Sequence, residues 1–282
     1  MGTDPQEKAR IGKEALQRWI ARRRLHLHPP GCVSTHFSSP CESYLPFTAT
    51  IVPEHRFAFV YWALLAHERG LLPRKGEHNP PVLLTVDYHN DVGAPSEVKP
   101  EDLDALDLGD AMQLSLFAWL SLRSLNDGQI LPALYLDLFT EAFVLLKDDC
   151  DQSVTCQQDS EGRDHAIRYF YEYGSLVDAL TAAEPERVYI DIDLDYFALR
   201  ARGGVSGGSG TRTAEDCSLA QVFSLEAPLM AAVYSRLVGM TIALEPSHSG
   251  GYVGAVHSLE SLERLLFLGG LRGGTGEWRM TV

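Results

Sequence analysis

Three groups of charged residues in this sequence have the composition of metal ligands. They are Asp87-x-His89-x-Asp91, Asp191-x-Asp193-x-Asp195, and Glu245 within the segment 244–251. Alternate residues of an extended strand share a face, so we expect each triplet to converge. Three carboxylates within about 7 Å of one another repel, which raises their pKa values unless a cation neutralises them. The sequence therefore predicts metal binding by these groups.

The ligand atoms in the three groups are carboxylate oxygens and imidazole nitrogens, without a thiolate. This set suits Mn²⁺ or Fe²⁺, and less strictly Zn²⁺ or Mg²⁺. A single hydrolytic Zn²⁺ normally takes three protein ligands, fewer than the sequence supplies, so two bridged ions fit better. Each aspartate pattern alone also fits another role. The first could cap a helix or form salt bridges, and the second also occurs in Mg²⁺ sites of phosphoryl- and glycosyl-transfer enzymes.

Apolar runs lead into all three groups, as buried parallel strands do. We expect strands at residues 81–86, 188–194 and 239–244, and another at 44–52. Helices are expected near residues 54–69, 103–125, 165–183, 227–238 and 259–268. Strands that alternate with helices predict an α/β fold of three layers with a central, mostly parallel sheet. Ligands bind outside the carboxyl ends of such strands, which is where the charged groups fall.

The composition is that of an ordinary globular protein. The chain has 282 residues, of which 45% are hydrophobic and 22% charged, and we expect one domain. Its formal charge of −14 argues against a nucleic-acid partner. No apolar run reaches the ~18–20 residues that cross a bilayer, so no membrane partner is expected. The phosphate loops GxGxxG and GxxxxGK[ST] are absent, which argues against nucleotide binding.

Cysteine usage and two unusual segments complete the sequence-based expectations. The five cysteines form no CxxC pair and follow no recognisable signal peptide, which favours a cytoplasmic location. Residues 1–24 contain seven lysines and arginines, and residues 1–28 are predicted to form a basic amphipathic helix. We expect this helix to pack on the more acidic remainder, and the alternative is that its basic face contacts an anionic partner. The glycine-rich stretch 203–216 reads as a mobile loop, either a lid over a site or a surface excursion.

The segments TVDYHNDVG, VYIDIDLDYF and IALEPSHSGG, in this order, resemble the metal motifs of the arginase/ureohydrolase superfamily. The closer likeness is to an atypical branch, the UPF0489-like peptide arginases of ribosomal-peptide (RiPP) biosynthesis, which convert arginine side chains to ornithine. The resemblance spans residues 54 to about 251. It implies an arginase/deacetylase-like fold, two Mn²⁺ ions as cofactor, and an arginine-containing precursor peptide as the partner.

The resemblance also implies a role for each residue. The implied metal ligands are His55, Asp87, His89, Asp91, Asp191 and Asp193, with Asp87 and Asp191 bridging the two ions. His55 replaces the histidine of the arginase GGDHS motif, which this sequence lacks. In the mechanism that the resemblance implies, a hydroxide bridging the two ions would attack the guanidinium carbon and urea would leave. Asp91 carries the proton to the leaving amine, and Glu245 holds the guanidinium by a charge-assisted hydrogen bond. His248 is either a general acid or a structural histidine.

One departure from ordinary arginases bears on the substrate. Asp91 is followed by Val92-Gly93-Ala94-Pro95, without the polar groups that hold free arginine in those enzymes. This favours arginine within a peptide. Two alternatives stay open: a deacetylase-like amidohydrolase that uses one Zn²⁺, and a non-catalytic binding protein with a structural cation.

Overall fold

The computed structural model describes residues 29–40, 46–71, 80–93, 98–123, 125–147, 152–198, 216–273 and 277–279. The strands within these ranges are β1 (Val33–Phe37), β2 (Phe47–Val52), β3 (Val82–Asp87), β4 (Ala142–Leu146), β5 (Cys156–Gln158), β6 (Asp164–Phe170), β7 (Val188–Asp193), β8 (Leu237–Ala243), β9 (Phe267–Leu268) and β10 (Glu277–Trp278). The α-helices are α1 (Ala58–Glu68), α2 (Pro100–Asp104), α3 (Ala111–Leu120), α4 (Ile130–Tyr135), α5 (Tyr173–Ala183), α6 (Asp216–Phe223), α7 (Pro228–Val233) and α8 (Gly251–Leu266).

A sheet of eight strands forms the centre of the fold, in the order β1-β2-β8-β7-β3-β4-β6-β5. The six inner strands are parallel, whereas β1 and β5 pair antiparallel at the two edges. A separate antiparallel pair joins β9 and β10. The expectation of an α/β fold with a central, mostly parallel sheet is thus confirmed.

Helices cover both faces of the sheet, which gives three layers. Buried side chains of α5, α6, α7 and α8 pack in one core, and those of α1, α2, α3 and α4 pack in the other. The alternation along β7 shows why two cores form, because Ile190 and Ile192 enter the first core and Tyr189 enters the second. Asp191 and Asp193 therefore face the side of the sheet that α1 covers.

Four predicted helices differ from the observed elements. The helix expected at 259–268 begins earlier, at Gly251, and ends at Leu266. The first half of the predicted helix 165–183 is wrong, because Asp164–Phe170 is strand β6 with buried residues at alternate positions, and only Tyr173–Ala183 is helical. The predicted helix 103–125 is two helices, and Asp110 caps the second. The predicted helix 227–238 ends early, since β8 already begins at Leu237.

Two predicted segments lie outside the described residues. They are the basic helix at 1–28 and the glycine-rich loop up to residue 215, after which Asp216 begins α6. Cys32 and Cys156 are free thiols. Among the helices that the structure describes, none is long and apolar enough to cross a membrane.

Candidate metal centre

The charged groups meet at the carboxyl ends of four neighbouring strands, β2, β8, β7 and β3. His55 lies in the 3-10 turn His55–Phe57, three residues after β2 ends. Asp87 is the last residue of β3, and Asp193 is the last residue of β7. Glu245 follows β8 by two residues. All four side chains are buried. Parallel pairing thus brings together residues that are far apart in the sequence.

The imidazole of His55 is the centre of this cluster. Its Nδ1 lies 2.6 Å from Asp91 Oδ2, 3.1 Å from Asp87 Oδ2 and 3.2 Å from Asp193 Oδ2. One ring N–H can donate to one acceptor, so a proton on Nδ1 cannot serve three carboxylates. A divalent cation can take all four atoms as ligands, since it accepts imidazole nitrogen and carboxylate oxygen together.

Hydrogen bonding supports this reading of the cluster. Within the described part of the chain, the buried atoms His55 Nδ1 and Asp87 Oδ2 make no hydrogen bond of good geometry, although Nδ1 lies 2.6 Å from Asp91 Oδ2. More than nine in ten buried polar groups of proteins have such a partner or bind an ion or water. The two orphaned atoms are 3.1 Å apart. The residues present therefore fit a metal ion.

A second group of ligand atoms shares Asp87 with the first. His89 Nδ1 lies 3.8 Å from Asp87 Oδ1 and 3.4 Å from Asp195 Oδ2. One ligand atom from each of these three residues falls within 4.8 Å of the others. Asp87 thus presents one oxygen to each group. The two groups together form a candidate site for two metal ions.

Asp195 is absent from the predicted ligand set, although the third position of the Asp-x-Asp-x-Asp pattern indicated it. Strand β7 ends at Asp193, and a 3-10 turn over Leu194–Phe197 follows. The Asp193 carboxylate starts this turn by accepting the Asp195 N–H at 2.9 Å. The turn brings the Asp195 carboxylate towards His89, on the far side of Asp87 from His55.

Asp191 lies behind His55, on the side away from Nδ1. Its Oδ2 is 2.5 Å from His55 Nε2 and accepts the Thr85 hydroxyl at 3.0 Å. Its Oδ1 accepts the Thr241 hydroxyl, which in turn accepts Trp62 Nε1–H at 3.2 Å. All these side chains are buried. The carboxylate of Asp191 therefore has a full set of protein partners.

Asp91 and Glu245 adopt left-handed backbone conformations, with φ of 52° and 39°. Non-glycine residues rarely adopt such angles, which occur often at functional sites. Since β3 ends at Asp87, strand alternation does not extend to residues 89 and 91, and the turned backbone directs Asp91 inward. Asp91 accepts a hydrogen bond from Gln129, and Glu245 Oε1 accepts the His55 backbone N–H at 2.6 Å. The sequence offered no signal for Gln129.

Electrostatic interactions strongly shift the pKa values of the clustered groups. Burial, and then repulsion by Asp87, raises the pKa of Asp91 well above its ordinary value. Burial, with Asp195 and Asp87, does the same to the pKa of Asp193. Burial alone would lower the pKa of His55, but Asp191 and Asp91 raise it well above the usual range. A divalent cation among these groups relieves the repulsion and favours ionised carboxylates.

Another group of Asp and His residues lies near the β5 edge of the sheet. Asp137, Asp159 and His165 are buried together, with ligand atoms within 4.8 Å. Arg163 Nε donates to Asp159 Oδ2 at 2.6 Å, and its Nη2 donates to Asp137. The guanidinium already supplies the positive charge that these two carboxylates require. This group is therefore an ion-pair network.

His248 lies at the rim of the candidate centre. Its exposed ring is 6.1 Å from that of His89, whose side chain is 40% exposed. The two histidines are therefore the polar side chains of the cluster that solvent reaches. His248 therefore lies next to the proposed ligand His89 on the solvent side of the candidate centre.

Comparisons with solved structures include an arginase among the similar proteins. No protein-family model and no curated protein sequence matches the chain. The solved structure of the arginase from Helicobacter pylori is similar with a TM-score of 0.38 and 15% sequence identity. The match covers 76% of this chain and 71% of that arginase.

Proposed function

We propose that this protein is a metal-dependent hydrolase that converts arginine side chains of a peptide to ornithine and urea. The observation that carries the proposal is the convergence of three carboxylates on His55 Nδ1, with Glu245 bonded to the same residue. Such a site combines metal ligands with a buried anion that is suited to a cationic substrate.

The residues divide into two ligand sets that share Asp87. The first set is His55, Asp87, Asp91 and Asp193, and the second is Asp87, His89 and Asp195. Two Mn²⁺ ions suit these oxygen-rich ligands. When bound, they supply a hydroxide at neutral pH for attack on the guanidinium carbon. We assign Asp191 to a different task, since its hydrogen bonds fix the orientation of the His55 ring.

Glu245 binds the guanidinium in this proposal. Its backbone follows β8 into the site, and the His55 N–H and the Asn126 side chain bond its carboxylate. These hydrogen bonds hold the carboxylate in place before the substrate arrives. Gln129 holds Asp91 in the same way, so that Asp91 is positioned to carry a proton to the leaving amine.

The alternative from the same reaction class is an amidohydrolase that acts on acylated amines. A neutral amide has no positive charge to pair with Glu245, whose buried carboxylate would then lack a ligand partner. The arrangement of Glu245 thus favours a guanidinium substrate. A non-catalytic metal protein would share the ligands but show no turnover.

Mass spectrometry tests the proposal directly. The Mn²⁺-loaded protein is incubated with arginine-containing peptides and, separately, with free arginine. We expect the peptides to lose the mass of CN₂H₂ for each modified arginine, with urea in solution. The EDTA-treated protein and the Asp193→Asn variant are the controls. A metal-loaded protein that changes no peptide and no free arginine contradicts the proposal.

A further inference from the structure

Exposed apolar side chains are concentrated on two segments of the described chain. Seven large hydrophobic residues in that part of the molecule are exposed. Five of these seven are Trp119, Leu120, Leu125, Tyr252 and Val253. We call these five side chains the apolar rim. Single exposed apolar residues are common on protein surfaces, whereas neighbouring ones combine into a larger exposed apolar area, and large areas of this kind mark binding sites.

The first segment of the apolar rim is linked to the candidate metal centre through two neighbouring residues, Phe57 and Asn126. The Trp119 ring packs edge-on against Phe57 at 6.4 Å, and Phe57 belongs to the same 3-10 turn as His55. Leu125 precedes Asn126, whose side chain bonds Glu245. Phe57 shares its turn with His55, and Asn126 bonds Glu245, so both residues connect the segment to the site. The first segment therefore borders the proposed guanidinium site.

The second segment follows the loop that leaves Glu245. His248 in this loop lies beside His89, and the Gly251 N–H donates to the Pro246 carbonyl at 2.8 Å. This hydrogen bond folds the loop into the start of α8, where Tyr252 is 70% and Val253 is 85% exposed. The two segments thus reach the centre from different parts of the chain.

We infer that the apolar rim binds the residues next to the arginine of a peptide substrate, and that these residues carry apolar side chains. This inference rests on the proposed function and specifies its substrate. Charge complementarity supports it, because the chain has a net charge of −14 and the buried carboxylates of the centre attract a cationic group. The same charge disfavours an anionic lipid surface as the occupant.

Competing peptides test this inference. Acetyl-Leu-Arg-Leu-amide, acetyl-Ser-Arg-Ser-amide and free arginine are compared on the Mn²⁺-loaded full chain. We expect kcat/KM to be about tenfold or more higher for the leucine-flanked peptide. The double variant Tyr252→Ser/Val253→Ser is expected to reduce this preference to less than about threefold. Equal kcat/KM for the two peptides, or a preference that the double variant leaves intact, overturns the inference.

A matched control variant removes an apolar side chain beyond the other end of the same helix. Leu268 is 44% exposed and lies in β9 directly after α8, and the helical stretch from Tyr252 to Leu266 alone spans about 21 Å at 1.5 Å per residue. Leu268→Ser should retain the full preference for leucine-flanked arginine. If the double variant changes only the oligomeric state in size-exclusion chromatography, the apolar rim is a contact between copies and the inference is wrong.

A binding measurement separates this inference from the proposed function. The affinity of fluorescein-labelled Leu-Arg-Leu peptide for the metal-free protein is measured by fluorescence anisotropy. We expect about tenfold weaker binding by the double variant than by the unmodified protein. Selective binding without turnover contradicts the hydrolase and supports the apolar rim. Turnover of free arginine without any peptide selectivity supports the hydrolase and contradicts the role of the apolar rim. If the protein shows no binding and no turnover, both proposals are wrong.

Discussion

His55 has two ring nitrogens, and four carboxylates contact them. Asp191 accepts hydrogen bonds from the hydroxyls of Thr85 and Thr241, and its Oδ2 lies 2.5 Å from His55 Nε2, where it can accept an N–H. With the proton on Nε2, Nδ1 is unprotonated, and its lone pair points towards the other three carboxylates. Carboxylates that orient a metal-binding histidine in this way commonly raise its basicity and its metal affinity.

The variant Asp191→Asn tests this role. An asparagine keeps the size of the side chain but loses the charge and one acceptor, so the ring of His55 is held less firmly. We expect the variant to bind two metal ions with about 10–100-fold lower affinity at one of them. Metal analysis after dialysis and calorimetric titration provide the measurements.

The matched variant Asp195→Asn removes a proposed ligand instead. It should bind one ion in place of two, because His89 and Asp87 alone do not complete the second set. If Asp191→Asn also binds only one ion, Asp191 belongs to the ligand set, as the sequence resemblance implies.

Glu245→Gln separates substrate binding from metal binding. The amide keeps the shape of the side chain but lacks the charge that pairs with a guanidinium. A charge-assisted hydrogen bond contributes about 1.5–3 kcal/mol, so turnover of an arginine peptide should fall about 100-fold. The metal content should stay at two ions. Full activity of this variant in steady-state kinetics shows that Glu245 does not hold the substrate.

At the scale of elements, the strand ends were predictable and the loops between them were not. Apolar runs marked β3, β7 and β8, and this fixed the positions of Asp87 and Asp193. The positions of the Asp91 and Glu245 side chains depend instead on left-handed backbone angles. No local sequence pattern predicted these angles. Gln129 comes from the start of α4, and its contact with Asp91 is purely tertiary.

Helix α3 shows how a local signal positions part of the apolar rim. The Asp110 side chain accepts the N–H groups of Met112 and Gln113 at 2.9 and 3.2 Å and so caps the helix that ends near Trp119. Asp110→Ala should destabilise the protein by about 1 kcal/mol and lower its Tm by about 2–4 °C. Differential scanning calorimetry measures the change.

The control for this variant is Asp178→Ala, at an exposed position of α5. Its Tm should match that of the unmodified protein, because a surface substitution away from a cap usually changes stability by less than about 0.5 kcal/mol. An unchanged Tm for Asp110→Ala shows that solvent replaces the cap without cost.

At the scale of the whole molecule, metal binding and folding stability are coupled. The unfolded chain cannot hold the ligands together, so metal ions favour the native state. Mn²⁺ at about 100 times its dissociation constant should stabilise the protein by about 2.7 kcal/mol and raise its Tm by about 5–10 °C. Thermal denaturation with and without EDTA measures this, and a Tm that is indifferent to Mn²⁺ contradicts the metal centre.

The sheet order also sets when the centre can form during synthesis. Strand β2 pairs only with β1 and β8 within the eight-stranded sheet, and β8 lies between β2 and β7. The turn that carries His55 follows β2 directly, yet it can join the carboxylates of β3 and β7 only after the ribosome has released β8, nearly 200 residues later in the chain. Parallel pairing over such distances is slow. During synthesis, Asp87 and Asp193 therefore stay apart from His55 until β8, the last inner strand in the sequence, joins the sheet.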